Sequence, residues 1–359
     1  RHPHGPWSIA PELYAEFCEI NGNDSWRGYA SGGEWATSWA PEIMGYELQR
    51  CAREAPVFNS EDHFIADRNV NWQPPEYIYN VFWQGAIHGR GASSTWVWER
   101  TYDMTSDFCG SILHRPECIE AQGWCTLDLN RLADEVTALQ RLKPQVAALY
   151  SYTGLVWDSQ HEYGLKTAWP AVVLAGHKAG FVFERQLEAL GDGAPLPEYL
   201  SEVKVLVLPG LTHLSRKAIR GLEAFTRSGG KVIVVGKLPD RDEYDKPARA
   251  EVQPAATLAL GNERQLMGQL DGALAKCGVV APARLVLDDG SLVFGVEYFA
   301  TPYKGGWLVN ISNYRHEEPR VHLLLNRKRI GQARELISGR TIDFPATLPS
   351  LQPLLLEVR

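Results

Sequence analysis

Apolar residues along the chain follow two alternating patterns, stretches with helical spacing and short continuous runs, separated by glycine, proline and asparagine. Ala10–Asn21 carries a short helical period, broken at Gly22 and again across Gly28–Gly33. Pro41 opens a second helix that extends to Arg53, with Ile43, Met44, Leu48 and Cys51 along one face. Ala55–Asn59 is a short buried strand that runs into the polar residues Ser60-Glu61-Asp62-His63. A loop containing Asn69, Asn71, Trp72 and Pro74-Pro75 leads to a helix over Glu76–His88, closed by Gly89, and then to a strand over Ser93–Arg100. Strands and helices alternating in this way predict a βα-repeat architecture with parallel pairing.

Further on, Asp128–Leu142 places Leu129, Leu132, Val136, Leu139 and Leu142 on one helical face. Strands follow at Val146–Tyr150, Phe181–Phe183, Val203–Leu208 and Lys231–Val235, with helices at Gly164–Ala179, Ser215–Arg227 and Glu263–Cys277. That is the pattern of a doubly wound α/β domain. After Pro282 the runs become short strands at Leu285–Leu287, Leu292–Tyr298, Gly306–Ile311, Val321–Leu325, Glu335–Ile337 and Leu354–Val358. Turns at Asp289-Gly290, Gly305-Gly306 and Ser338-Gly339 complete a small β-sandwich. The expected class is α/β, divided into barrel-type βα units (1–108), a connecting segment and helix (109–143), an α/β domain (144–281) and the sandwich (282–359).

Bulk properties narrow the function. Of 359 residues, 45% are hydrophobic and 22% charged, enough for two or three packed cores. A formal net charge of −7 offers nothing to nucleic acid or to an anionic membrane surface. No apolar run approaches the roughly 18 residues of a membrane helix. The chain opens Arg1-His2-Pro3-His4, with neither Met nor the apolar core of a signal peptide, as a processed, trimmed or shortened product would. The six cysteines are Cys18, Cys51, Cys109, Cys118, Cys125 and Cys277, and none forms the close pair of a structural zinc site. Free thiols and no bound metal are the expectation.

Aromatic residues point further. Eight of the twelve tryptophans precede residue 104: Trp7, Trp26, Trp35, Trp39, Trp72, Trp83, Trp96 and Trp98. Indole faces stack on the apolar faces of pyranose rings, so tryptophans interleaved with Gly, Asn and Glu suit a carbohydrate site; core packing is the alternative for any one of them. Barrel enzymes carry their chemistry at the C-terminal ends of the strands. Glu61 stands there, and Asn59, His63 and Arg100 are candidates to hydrogen-bond it and keep it ionised. A glycosidase pairs such a carboxylate with a second one acting as acid/base. A solvated loop carboxylate is the competing reading of Ser60-Glu61-Asp62.

The ordered run Pro56-Val57-Phe58-Asn59-Ser60-Glu61, Asn71-Trp72-Gln73-Pro74, Phe82-Trp83-Gln84-Gly85-Ala86-Ile87-His88-Gly89 and Trp96-Val97-Trp98-Glu99-Arg100 resembles the end of the barrel in family 42 β-galactosidases. Leu206-Val207-Leu208-Pro209 is similar to that family's amidotransferase-like domain, and the ending from Ser338-Gly339-Arg340 to Gln352-Pro353 to its C-terminal β domain. The resemblance implies a retaining β-glycosidase acting on terminal β-linked galactose or glucose, with Glu61 as nucleophile. Asn71, Trp72, Trp98 and Arg100 would line the sugar subsite, and no cofactor is called for. His88, at a helix end, reads as structural. The amidotransferase-like turn Leu208-Pro209-Gly210-Leu211-Thr212 has no cysteine nucleophile, so that domain is expected to be non-catalytic.

The departure from the family is large. Its acid/base glutamate lies in an Asn-Glu pair on the fourth barrel strand, and this chain has no such pair before Asn262-Glu263, which reads as a helix start. About three barrel strands are present, the first near Trp26–Ser31, making an incomplete TIM-type barrel. Glu34, and behind it Glu19, are the candidate substitute acids. Three explanations stand open: an active incomplete barrel, a site completed by a neighbouring subunit, or a fragment. An open arc of strands favours covering by a second copy of the chain. The alternative function is a carbohydrate-binding or assembly protein that kept the scaffold and lost turnover.

Overall fold

The computed structural model describes residues 11–24, 26–65, 69, 71–98 and 111–359. In chain order, α1 (Pro11–Phe17) precedes β1 (Asn21–Asn23), α2 (Trp39–Ala52), β2 (Val57–Asp62), α3 (Pro75–Ile87) and β3 (Arg90–Thr95), followed by α4 (Pro116–Arg131) and α5 (Ala133–Gln140). Next come β4 (Val146–Tyr150), α6 (Tyr152–Trp157), α7 (Ser159–Leu174), β5 (Ala179–Phe183), α8 (Glu184–Gly191), β6 (Val205–Pro209), α9 (Arg216–Arg227), β7 (Lys231–Val235), β8 (Ala256–Leu258) and α10 (Glu263–Lys276). The remainder is β: β9 (Ala283–Val286), β10 (Val296–Tyr303), β11 (Gly306–Asn313), β12 (Arg320–Leu325), β13 (Lys328–Arg329), β14 (Gln332–Glu335), β15 (Thr341–Asp343), β16 (Ala346–Thr347) and β17 (Leu354–Val358). Among the described residues no helix is long and apolar enough to cross a membrane.

The chain divides into two compact units. One comprises the stretch ending at Cys18, residues 50–54 and residues 143–281. Its parallel sheet has the order β5-β4-β6-β7-β8, with β4 first in sequence but second in space, a strand order used by doubly wound folds. Strands β4, β5 and β6 are buried along their whole length, which is why they read as continuous apolar runs. Ser215 starts α9 by accepting from the Ala218 N–H at 3.1 Å. Asn262 caps α10 in a reciprocal box with Gln265, as the helix-start reading of Asn262-Glu263 expects. Helices α8 and α9 pass so closely that a Cβ on Gly221 would meet the Leu187 carbonyl oxygen at 1.7 Å.

The other unit comprises residues 19–49, 55–142 and 282–359, so far as they are described. It holds a three-stranded parallel sheet, β1-β2-β3, and antiparallel sheets in the orders β10-β11-β17-β14-β15 and β13-β12-β16, with β9 also on β12. Helix α3 is buried on nearly every face. Its Tyr77, Ile78, Val81, Trp83 and Ile87 share one core with Cys118 and Cys125 of α4, Leu139 of α5, and Phe299, Leu308 and Leu355 of the C-terminal strands.

Polar positions on α3 are paired rather than exposed. Trp83 donates to Asn310 at 2.9 Å, Asn80 to Ser312 at 2.7 Å, and Gln84 to Tyr314 at 2.9 Å. His88, 1% exposed, sets Nδ1 2.8 Å from Glu47 and Nε2 2.5 Å from Glu297, a structural role.

Several boundaries differ from expectation. The first strand of the parallel sheet is Asn21–Asn23, not Trp26–Ser31; Trp26 makes only an isolated bridge to His63, and Tyr29 turns back to Thr37. The helix expected over Asp128–Leu142 is the end of α4 and all of α5, interrupted at Leu132. The third strand begins earlier, at Arg90, and stops at Thr95.

Candidate active site

The parallel pairing of β1 with β2 is in simple register, Asn21 opposite Val57, Gly22 opposite Phe58 and Asn23 opposite Asn59. The pairing of β2 with β3 slips between Asn59 and Asp62, where an irregularity re-aims the strand end. As a result the adjacent carboxylates part ways. Asp62 is 1% exposed and takes hydrogen bonds from Arg90 and, at 2.6 Å, from Ser93. Glu61 is held at the rim with its side chain 44% exposed.

The interior beneath the rim is charged and fully packed. Arg27 reaches Glu42 at 3.3 Å, Thr37 at 3.0 Å and Asn80 at 2.5 Å. Burial pushes the Glu42 carboxyl up, and Arg27 opposes that shift. Burial also pulls Arg90 down, but Asp62 leads the neighbours that more than offset it, so the guanidinium stays charged. Arg90 lies over the Phe82 ring at 4.7 Å, in space left by Gly85, where a Cβ would approach Arg90 Cζ to 2.7 Å. Asn59 is buried and donates to Tyr46 at 3.0 Å, directed inward rather than to the rim.

At the C-terminal end of the sheet three side chains meet. His63 Nε2 lies 3.3 Å from Asp24 Oδ1 and 3.4 Å from Glu61 Oε2. Ser60 ties the two strand ends by donating to the Asn23 carbonyl at 2.9 Å, and the Arg27 N–H donates to the His63 carbonyl at 3.0 Å. The Trp96 ring stands 5.4 Å from the His63 ring, tilted by 33°, and the Trp96 backbone N–H donates to the Asp62 carbonyl at 3.2 Å. Burial raises the Asp24 carboxyl, His63 lowers it and Glu61 raises it again; the net direction is up. Among the described residues, Asp24, Glu61 and His63 are also the group spaced to hold a cation, with ligand atoms within 4.8 Å of one another.

Other anticipated residues stand elsewhere. Glu34 forms an ion pair with Arg315 at 3.2 Å. Glu19 precedes β1 and so lies at the N-terminal end of the sheet, the wrong end for it to serve as acid. Trp72, 63% exposed, donates to Glu117 at 3.0 Å. The Asn71 N–H donates to Asn69 at 2.9 Å, and Trp98 is 49% exposed, its carbonyl accepting from Leu113 at 3.0 Å. Among the described residues Asn71, Trp72 and Trp98 make no hydrogen bond or ring contact to Glu61 or His63. Arg100 lies outside the described residues. Asp24 escapes the sequence reading, and Trp96 stands there only as one of eight early tryptophans, without its place against His63. The signal for Asp24 was a carboxylate directly after Asn21-Gly22-Asn23, hidden because Gly22 read as a helix breaker rather than as part of a strand.

In the α/β unit, the turn after β6 carries no nucleophile, and the nearby histidine is used structurally. His161 Nδ1 donates to the Pro209 carbonyl at 2.7 Å, and its Nε2 accepts from the Ser151 N–H at 3.0 Å. Burial pulls its pKa down to about 4, so it is a neutral strut.

No family model and no curated protein matches the chain. Solved structures do. The exo-carrageenase GH42 from Bacteroides ovatus superposes with a TM-score of 0.82 at 20% identity, over 98% of this chain and 49% of that one. The β-galactosidase from Bacillus circulans sp. alkalophilus gives 0.66 at 14% identity, over 98% of this chain and 62% of that one. The β-galactosidase from Rahnella sp. R3 gives 0.65 at 12%, over 97% and 61%. The chain thus spans from about half to about three-fifths of the length of these proteins. Across that span, its parallel and antiparallel sheets have a GH42-like fold.

Proposed function

We propose that the protein is a retaining β-glycoside hydrolase acting on terminal β-linked galactosides or glucosides, with Glu61 as nucleophile. The observation that carries this reading is the position of Glu61, half-exposed at the C-terminal end of β2 between His63 and the flanking strands of a parallel sheet. A carboxylate there can attack an anomeric carbon while Asp62, one residue on, is spent on anchoring Arg90. The GH42-like fold supports the same reading. In it, β1, β2 and β3 are the last strands of an incomplete TIM-type barrel, the α/β unit is an amidotransferase-like assembly domain, and the C-terminal strands form a β-sandwich.

Strands β1 and β3 are the outer strands of their sheet. Association of two or more copies that covers the open arc belongs to this proposal, and sedimentation at defined protein concentrations tests it. Trp72, Trp98, Asn71 and Arg100 remain the proposed sugar-facing residues, with the exposed indoles as stacking surfaces. Glu34 can act as acid only by leaving Arg315.

The test is hydrolysis of activated aryl β-glycosides. The parent should turn them over, and Glu61→Gln should abolish turnover; equal rates in parent and variant would remove Glu61 from the mechanism. A second reading, a carbohydrate-binding protein without turnover, is favoured by the engagement of Glu34 with Arg315, together with the exposed Trp72 and Trp98. Saturable binding of a β-galactoside with no hydrolysis would select it.

A further inference from the structure

Resting on the reading of Glu61 as nucleophile, we propose that Asp24 is the acid/base of the same site. Asn23 pairs with Asn59 on adjacent parallel strands, so the residues just beyond them, Asp24 and Glu61, emerge side by side at the C-terminal end of the sheet. One carboxylate oxygen of each lies within 4.8 Å of the other. A retaining pair is held about 5–5.5 Å apart and an inverting pair at roughly 6.5–9.5 Å, so oxygens this close fit the retaining arrangement.

His63 fixes the pair. Its Nε2 faces one oxygen from each carboxylate, at 3.3 and 3.4 Å, and its ring is backed by Trp96. The two acids are not equivalent. The Asp24 carboxyl is raised, first by burial; His63 opposes the shift and the charge of Glu61 adds to it, and the net direction is that of an acid. Glu61, at the end of β2, is the one placed to attack. Glu34, by contrast, is turned to Arg315.

The steps balance with these two groups and water. The Glu61 carboxylate attacks the anomeric carbon, the bond from that carbon to the leaving oxygen breaks, and the leaving oxygen keeps the electron pair and takes the proton of Asp24. The Asp24 carboxylate then removes a proton from water as the water oxygen attacks the same carbon. The ester to Glu61 breaks, Glu61 leaves as carboxylate, and the sugar is released with its configuration retained.

The experiment compares the parent, Asp24→Asn and Asp24→Glu on paired substrates: 2,4-dinitrophenyl and phenyl β-D-galactopyranoside, and the corresponding glucosides. Dinitrophenolate departs without a proton, whereas phenolate needs one. In Asp24→Asn, kcat/KM on the phenyl glycoside should fall about 10²–10⁴-fold, with a far smaller loss on the dinitrophenyl glycoside. Added azide should restore turnover of the dinitrophenyl glycoside, giving a β-glycosyl azide. Asp24→Glu, which keeps a carboxyl group, should recover part of the phenyl glycoside activity. Equal losses on both substrates, or no loss on either, overturn the role of Asp24 while leaving Glu61 to be judged by Glu61→Gln. A parent inactive on the dinitrophenyl glycosides overturns the Glu61 reading itself, and Asp24 falls with it.

Discussion

Glu61 and Asp62 are consecutive on β2 and are put to opposite uses: Asp62 is buried on Arg90, and Glu61 stands at the rim 3.4 Å from His63. The irregular pairing between Asn59 and Asp62 causes the difference, because strict alternation would send every second residue to the same face. Stability and chemistry should therefore separate at neighbouring positions. Asp62→Ala leaves Arg90 charged and buried, and should cost about 3–5 kcal/mol in chemical denaturation. Glu61→Gln should change stability by no more than about 0.5 kcal/mol, the range of substitutions at exposed positions.

The same buried pair depends on a missing side chain. Gly85→Ala would set a methyl group 2.7 Å from the Arg90 guanidinium carbon. The expected loss is about 1–3 kcal/mol, as in other overpacked cores, measured by the denaturation midpoint. A variant as stable as the parent would show that Arg90 can move aside.

His161 makes the α/β unit sensitive to acid. Its ordinary pKa of 6.5 falls to about 4 in the folded chain because burial disfavours the charged form. Between those values the unfolded chain binds a proton that the folded one does not, so stability rises with pH through this window and is lost as pH falls from 6.5 towards 4. The loss should approach about 3 kcal/mol. His161→Gln should flatten the slope of stability against pH over that window; an unchanged slope would assign it to other groups.

Much of this was legible in the sequence, for physical reasons that differ by element. Strands buried on both faces, such as Val146–Tyr150 and Lys231–Val235, announce themselves as apolar runs, and Ser215 and Asn262 announce helices through their caps. Strand β1 did not, because Asn21-Gly22-Asn23 has no strand pattern and is held by pairing with β2. The inward turn of Asp62 follows from a pairing irregularity, and the Glu34–Arg315 ion pair joins residues far apart in sequence; neither leaves a local mark. Glu61 could be picked out at the end of its strand, whereas Asp24 and the seating of Trp96 against His63 could not, because both depend on where the adjacent strands end.

Chelation separates two uses of the rim. Asp24, Glu61 and His63 are spaced to hold a cation, yet two-carboxylate hydrolysis requires none. Treatment with EDTA should leave the rate on dinitrophenyl β-glycosides unchanged. A loss of activity restored by a divalent cation would turn the trio into a metal site.

The central claim is that Glu61 forms the covalent intermediate, and trapping tests it most directly. A 2,4-dinitrophenyl 2-deoxy-2-fluoro-β-glycoside forms the glycosyl-enzyme quickly and releases it slowly. Peptide mass spectrometry of the inactivated protein should locate one fluorosugar on Glu61, and none should appear on the Glu61→Gln variant. A fluorosugar on another carboxylate, or none on the parent, would contradict the account.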